Sequence, residues 1–139
     1  MMRFFDVATR KLAVLFGALC VLTLMVNCSS QTPESVAGNF VSAVANNRVD
    51  EAIGYFSLED VKENDLTTVK GKCQMIVGEM YSEIQKDGGL DSLKSNLANN
   101  DKSDNTARVD VEMKFKNGKT KTERFTLVKE SGKWKIKVY

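Results

Sequence analysis

The spacing of apolar residues changes at Gly89, and this change constrains the fold more than any other feature of the sequence. Before Gly89, apolar residues recur every three or four positions, which is the period of a helix with one buried face. After it, apolar and polar residues alternate, strictly so over residues 108–116, as in an antiparallel strand buried on one face. Helices followed by antiparallel strands predict an α+β fold with the N-terminal helices packed on the sheet.

Two short helices are predicted ahead of a longer one. The first begins at Thr32-Pro33, because a threonine hydroxyl can cap a helix and the first helical position tolerates the missing N–H of proline. It is predicted to end near residues 46–47. The second is predicted to begin at Asp50, whose carboxylate would cap it. Its apolar face contains Ala52, Ile53 and Phe56.

The third helix is predicted over residues 69–86. The glycines of Asp87-Gly88-Gly89 end it, because glycine readily adopts the left-handed conformation of a helix terminus. Cys73 lies on its apolar stripe and is expected to be a buried thiol, with a reactive thiol as the alternative, since free cysteine is among the most buried residue types. The predicted apolar face contains Val69, Cys73, Ile76, Met80 and Ile84, widened by Val77 and Tyr81.

The register of the first long hairpin follows from parity, because residues paired across a hairpin point to the same face of the sheet. A two-residue Asn117-Gly118 loop would set apolar residues opposite charged ones. A three-residue loop over residues 116–118, with Gly118 in the left-handed conformation, avoids this and is favoured. The pairs that it predicts are Val109 with Phe125 and Asp110 with Arg124.

The second hairpin has the opposite parity. A two-residue loop over residues 131–132 sets Leu127 opposite Ile136. Trp134 then lies on the inward face of the last strand, where we expect a core residue rather than part of a ligand site.

The first strand is the least regular part of the predicted sheet. Leu90, Leu93 and Leu97 fit an alternating strand only loosely, because the first two are three positions apart. Residues 99–105 are polar and are predicted to form a turn.

Residues 1–27 are predicted to be a signal peptide. Basic residues near the N-terminus precede an apolar or small run over residues 12–26, interrupted only by Thr23. Fifteen residues of helix reach about 22 Å, which is shorter than the ~30 Å hydrocarbon core of a bilayer. A cleaved signal is therefore favoured over a permanent membrane span.

Cys28 closes this apolar run, and residues 24–28 resemble the lipobox of bacterial lipoproteins, although Asn27 stands where that pattern has a smaller residue. The resemblance implies that the Cys28 thiol takes a diacylglycerol, with palmitate among the acyl chains, and becomes the new N-terminus. Residues 28–32 would then be a polar tether, and residues 33–139 a single α+β domain. Ser29 resembles the signal that sends such proteins to the periplasmic side of the outer membrane. The alternative is an ordinary signal peptide and a soluble exported protein.

The charge balance argues against nucleic acid as a partner. From Cys28 onward the chain has 17 basic and 17 acidic residues. A nucleic-acid binder needs a net basic surface to displace counterions from phosphates. The predicted partners are a membrane, through the lipid anchor, and an unknown protein or small molecule, with a homodimer through the sheet as a further option.

A set of segments spread along the chain carries a family resemblance. They are the lipobox, Thr32-Pro33-Glu34, Asp50-Glu51-Ala52-Ile53 and residues 116–119, 125–129 and 132–136. Together they resemble the small bacterial lipoproteins of domain of unknown function 4878, on the nuclear transport factor 2-like fold. That resemblance implies a curved antiparallel sheet wrapped around three helices, a cone with no assigned reaction.

Some proteins of this fold, ketosteroid isomerases and polyketide cyclases among them, are enzymes with an Asp or His base inside the cone. This chain has no histidine, so a base would have to be a carboxylate or a tyrosine with a strongly shifted pKa. We expect these groups to be surface residues instead, with Glu79 and Glu83 on a solvated helix face and Glu123 beside the sheet edge. The candidates are Glu79, Glu83, Glu123, Tyr55 and Tyr81.

Two classes of function remain from the sequence. The first is a membrane-anchored, exported and non-catalytic binding or interaction domain of unknown ligand, using the concave sheet as pocket or dimer surface. The second is a small isomerase- or hydrolase-like enzyme that uses a carboxylate inside the cone. The first is favoured, because no zinc-binding cluster, phosphate-binding loop or nucleophile elbow occurs in the sequence. No catalytic residue, metal ligand or cofactor is therefore assigned.

Overall fold

The computed structural model describes residues 31–138 of the chain. The predicted signal peptide, residues 1–27, and the predicted lipid attachment at Cys28 lie outside these residues. None of the described helices is long and apolar enough to cross a membrane. The helices are α1 (Pro33–Ala45), α2 (Val49–Gly54) and α3 (Leu66–Lys86), with a 3₁₀ turn at Glu63–Asp65. The strands are β1 (Leu90–Lys102), β2 (Thr106–Phe115), β3 (Thr120–Glu130) and β4 (Lys133–Ile136).

The N-terminus of α1 is capped as its sequence predicts. Ser35 N donates to Thr32 Oγ1 at 3.2 Å, and Thr32 N donates to Ser35 Oγ at 3.1 Å. These reciprocal bonds satisfy N–H groups that have no partner within the helix, and Pro33 occupies the first helical position. The prediction for α2 is wrong: α2 begins at Val49 rather than at an Asp50 cap, and no side chain caps it.

The four strands form one antiparallel meander in the order β1-β2-β3-β4. Both predicted registers are confirmed. In the β2–β3 hairpin Val109 pairs with Phe125 and Asp110 with Arg124. Its three-residue loop closes with Gly118 at φ 88°, and Leu127 pairs with Ile136 across the second hairpin.

β1 is longer than its sequence indicates, and it contains two irregularities. Leu90 pairs with Phe115 and Ser92 with Lys114, so Asp91 is an extra residue in a β-bulge. The bulge shifts the alternation by one position, which is why leucines three apart both fit the strand. The predicted turn over residues 99–105 is wrong, because β1 continues to Lys102 and only residues 103–105 separate it from β2. A second irregularity between Leu97 and Lys102 takes up the extra length.

α3 buries a narrower stripe than predicted. Cys73, Val77 and Ile84 are buried, whereas Ile76 is 38% exposed, so its assignment to the buried face is wrong. The helix packs mainly on α1 and α2, and a helix that packs on two others buries only the side turned toward them. Val69, Met80 and Tyr81 are half-buried at the border of this stripe.

The core lies between α1 and the concave face of the sheet. Phe40 of α1 is at its centre, edge-on to Phe56 at 5.1 Å and to Phe125 at 5.6 Å between ring centroids. Trp134 is 5% exposed and Cys73 is fully buried, so both predictions of core positions are confirmed. Such edge-to-face pairs stabilise a core beyond the area they bury.

Candidate functional site

The concave face of the sheet is filled by α1. The residues that α1 turns toward the sheet are apolar, and none of the polar or charged residues in the described part of the chain is buried. Within residues 31–138 the concave face of the sheet is therefore part of the packed core. The inward residues of β2 are buried there and do not line the pocket that was expected on this face.

The predicted catalytic candidates lie at the surface. Glu79 and Glu83 are exposed, and Tyr55 and Tyr81 are half-buried. Burial, and the negative charge of Glu51, raise the pKa of Tyr55, which makes its phenolate less accessible near neutral pH. The tyrosine therefore does not have the lowered pKa that a general base would need.

Glu83 and Glu123 are brought together by Lys121. The Lys121 ammonium lies 2.8 Å from Glu123 Oε1 and 2.7 Å from Glu83 Oε2. Hydrogen bonds to Glu123 and then to Glu83 raise the pKa of Lys121 to about 12. Glu123 pairs with the inward-facing Val111, so it lies on the concave side of the sheet rather than beside the sheet edge as the sequence predicted. Both carboxylates are therefore engaged with a cation inside the protein rather than free to contact a substrate.

The structure has a surface cleft of about 730 Å³, here called the α2–β4 cleft. It is lined by α2, the segment after it, Lys70 and the β3–β4 turn. Its apolar lining residues are called its floor here, and its charged lining residues are called its walls. The floor contains Ile53, Phe56 and Leu58, the acidic wall residues are Asp50, Glu59 and Glu130, and the basic ones are Lys70, Lys133 and Lys135. A second cavity of about 290 Å³ adjoins it and shares Glu59 and Glu130.

The segment after α2 is fixed to the sheet by backbone hydrogen bonds. Ile136 N donates to Tyr55 O, and Ser57 N donates to Ile136 O, both at 2.8 Å. Phe56 thereby forms a parallel bridge with Ile136, and the segment extends the sheet beyond β4. The floor of the cleft is therefore built on regular structure rather than on a free loop.

Two side-chain contacts fix the walls of the cleft. The Ser57 hydroxyl donates a hydrogen bond to Glu130 Oε1, and Lys135 Nζ donates to Gly54 O at 2.6 Å. These contacts join residues that are 73 and 81 positions apart in the chain. They leave Glu130 and Lys135 engaged within the protein.

The remaining wall charges are free to meet a ligand. Asp50, Glu59, Lys70 and Lys133 form no ion pair with another residue in 31–138. A cleft with an apolar floor and unpaired charges of both signs fits a ligand that carries an ammonium and a carboxylate around an apolar body. Within the same residues no cluster of three or more His, Cys, Asp or Glu side chains could hold a metal ion.

The sequence did not identify this cleft. Its residues come from four separate segments, and none of them belongs to a motif with a recognisable spacing. The one local signal is the Ser131-Gly132 turn, in which both residues have positive φ, and it predicts a hairpin rather than a site.

Comparison with known proteins supports the fold and gives no reaction. A family model described as domain of unknown function (DUF4878) matches residues 26–137. An NTF2-like (nuclear transport factor 2-like) transpeptidase from Campylobacter jejuni has a similar structure, with a TM-score of 0.70, 21% identity, and coverage of 78% of this chain and 100% of that one. At this identity the similarity shows the nuclear transport factor 2-like fold alone.

A second solved structure is much less similar. It is a calcium/calmodulin-dependent protein kinase II association domain from Xanthomonas campestris, 15% identical over 70% of this chain and 75% of that one. Its TM-score of 0.32 is too low to indicate a shared arrangement. No curated protein matches the sequence.

Proposed function

This chain belongs to the family of domain of unknown function 4878, and we propose that it is a non-catalytic binding domain, held at a bacterial cell-envelope membrane through Cys28, that binds its ligand in the α2–β4 cleft. The single observation that carries the binding role is the cleft itself, in which an apolar floor lies between unpaired charges of both signs. Its ligand is a zwitterion such as a short peptide with both ends free.

The charges on the walls favour a zwitterion over a simple anion or cation. Asp50 and Glu59 would attract the ammonium, and Lys70 and Lys133 the carboxylate, while the half-buried Ile53 and Leu58 contact the apolar body between them. A ligand with one charge would leave the opposite wall uncompensated. Because the walls are solvated, each charge contact contributes little, and the apolar floor supplies much of the binding free energy.

The membrane anchor is supported by sequence alone. The apolar run ends at Cys28, and α1 begins at Pro33, five positions later. A lipid on Cys28 would hold the domain close to the membrane surface, on the periplasmic side of the outer membrane if the host has two membranes.

The alternative is a small isomerase- or hydrolase-like enzyme. It has less support. Glu123 is the candidate carboxylate on the concave side of the sheet, and it forms an ion pair with Lys121 and is partly exposed. The transpeptidase name belongs to the Campylobacter jejuni protein and does not identify a reaction here.

The test is a titration of the full chain in detergent micelles with trialanine, followed by amide chemical shifts. We expect shifts around Ile53 and Lys133, and no comparable shifts with the acetylated and amidated tripeptide, which lacks both charges. Asp50→Asn and Lys133→Gln should each weaken binding about two- to fivefold, as expected for exposed charge contacts. Lys114→Gln, on the outer face of the sheet, is the matched control. Equal binding of the neutral peptide would reject the proposed ligand class.

A further inference from the structure

The outward face of α3 exposes apolar residues that the fold does not use. Met75 is 65% exposed and Ile76 is 38% exposed, and they are the large apolar side chains exposed in the described part of the chain. They are consecutive on the helix, so their side chains project about 100° apart around its axis, and Met75 is the one opposite the buried stripe. An exposed large apolar side chain in this position is available to contact another surface.

The same face carries small residues around Met75. Gly71 precedes Met75 by about one turn, Gly78 and Ser82 follow it, and all three lie on the side opposite Cys73 and Val77. A Cβ at either glycine would meet no atom within 4 Å, so packing inside the domain does not require glycine there. Each costs about 1 kcal/mol of helix stability relative to alanine. Close approach of another surface would explain the cost, because small residues let two helices come together.

The charges along this face alternate so that, when two copies of the helix run in opposite directions, each charge lies near one of opposite sign. From the N-terminus they run negative at Asp65, positive at Lys72, negative at Glu79 and positive at Lys86. All four residues are exposed, and Glu83 is left out because it is already paired with Lys121 of its own chain. A parallel copy would set like charges together, whereas an antiparallel copy sets each charge beside the opposite sign.

We propose that the outward face of α3 docks antiparallel against the same face of a second copy of this chain, forming a two-fold symmetric dimer. The partner is a second copy of the chain because this face is complementary to itself. Self-complementarity is what a symmetric contact between two identical surfaces requires. The sheet is a poorer surface for this purpose. Its outer face presents exposed polar residues, among them Lys94, Glu112 and Arg124.

One register satisfies all of these features together. With the two-fold axis between Ile76 and Val77, Met75 lies opposite Gly78 of the second copy, and Gly71 lies opposite Ser82. Lys72 then lies about 3 Å along the helix axis from Glu79 of the second copy, at 1.5 Å per residue. The same offset of about 3 Å separates Asp65 from Lys86. The large side chain thus meets a gap, and each cation meets an anion.

The contact face is one helix wide. The 21 residues of α3 make a helix about 31 Å long, and a single helix pair buries less than the ~800 Å² per partner of a standard stable interface. The dimer is therefore weak and reversible. The dimer contact uses none of the residues that line the α2–β4 cleft, so it can be tested independently of the proposed ligand binding.

Photo-crosslinking in bacterial cells tests the dimer with the full chain. A benzophenone amino acid in place of Met75 should give an adduct of twice the monomer mass on a denaturing gel. The same amino acid in place of Lys114, on the outer face of the sheet, should give none. An adduct only of another mass, or no adduct at position 75, would overturn the proposal.

Charge reversal tests the register. Lys72→Glu should lower the adduct yield about tenfold, because symmetry applies the new repulsion at both ends of the interface. The double variant Lys72→Glu with Glu79→Lys should recover part of the yield, since opposite charges again face each other. Lys94→Glu is the control for an equal change in net charge. Unchanged dimer in Lys72→Glu, or failure of the double variant to recover, would contradict the antiparallel register.

Discussion

The Ser95 hydroxyl on β1 lies 2.8 Å from the point that a Cβ on Gly38 of α1 would occupy. Leu93 Cδ1 lies 3.3 Å from the same point. Gly38 thus allows α1 to approach the sheet closely, and Ser95 is the small inward residue that it meets. Ser95 Oγ is buried and makes no hydrogen bond with a described residue. The close packing of α1 on β1 therefore leaves the Ser95 hydroxyl without a hydrogen bond among the described residues.

Gly38→Ala should destabilise the domain by about 1–3 kcal/mol, because the added methyl overpacks the contact between α1 and β1. Adding Ser95→Gly should recover part of the loss by removing the hydroxyl that the methyl meets. Gly71→Ala is the matched control, since its Cβ meets open space and alanine favours a helix. Denaturant melts of the wild type, Gly38→Ala, Ser95→Gly and the double variant give the coupling, and strictly additive effects would contradict the contact.

Trp134→Ala should cost about 3–5 kcal/mol, because the indole is buried under the sheet's concave face. Lys129 and Lys102 also place their ammonium groups 5.7 and 5.9 Å from its ring centroid. Lys114→Ala, on the outer face, should change the unfolding free energy by less than about 0.5 kcal/mol. Lys135 is not a suitable control, since it bonds Gly54 O. A Trp134→Ala midpoint equal to that of the wild type would mean that Trp134 is not a core residue.

Cys73 should label slowly with thiol reagents in the folded domain. Its side chain is fully buried, and burial raises the pKa of its thiol, so little thiolate is present at neutral pH. Labelling should accelerate strongly when denaturant unfolds the domain. Fast labelling without denaturant, at the rate of a free thiol, would show that this part of α3 opens readily.

Asp110 should titrate below the ordinary carboxyl value of about 4. Arg124 donates hydrogen bonds to its two oxygens at 2.7 and 3.0 Å, and these bonds lower the pKa of Asp110. A lowered folded pKa means that the pair's contribution to stability is present above about pH 4 and is lost as the pH falls through the folded pKa. Carbon-detected titration of the carboxyl should show the pKa rising in Arg124→Gln. An unchanged pKa in that variant would mean that the pair does not persist in solution.

Cys28 should carry lipid in the native host. Intact mass of the purified protein should show loss of residues 1–27 and a lipid-sized increment. Cys28→Ser should leave an uncleaved precursor or a released soluble protein. An unmodified Cys28 in the wild type would reject the membrane anchor while leaving the cleft and the dimer face untouched.

Local sequence was sufficient for features that depend on near neighbours. The cap at Thr32, the three-residue loop that ends at Gly118, and the two-residue loop at residues 131–132 were all predictable, because short-range sterics and hydrogen bonds fix them. The pairing of Asp110 with Arg124 followed, since a loop of known length determines the parity of both strands. Helices packed on an antiparallel sheet followed from the change of period at Gly89.

Tertiary structure decided the features that depend on distant residues. The bulge at Asp91 sets the face of each leucine in β1, and the placement of α3 on α1 and α2 leaves Ile76 exposed. The α2–β4 cleft exists because the segment at Phe56 joins β4 and Ser57 reaches Glu130, 73 positions away. Hydrophobic periodicity shows which residues can be buried, but it does not show which other segment covers them. That surface is created only when segments far apart in sequence pack together.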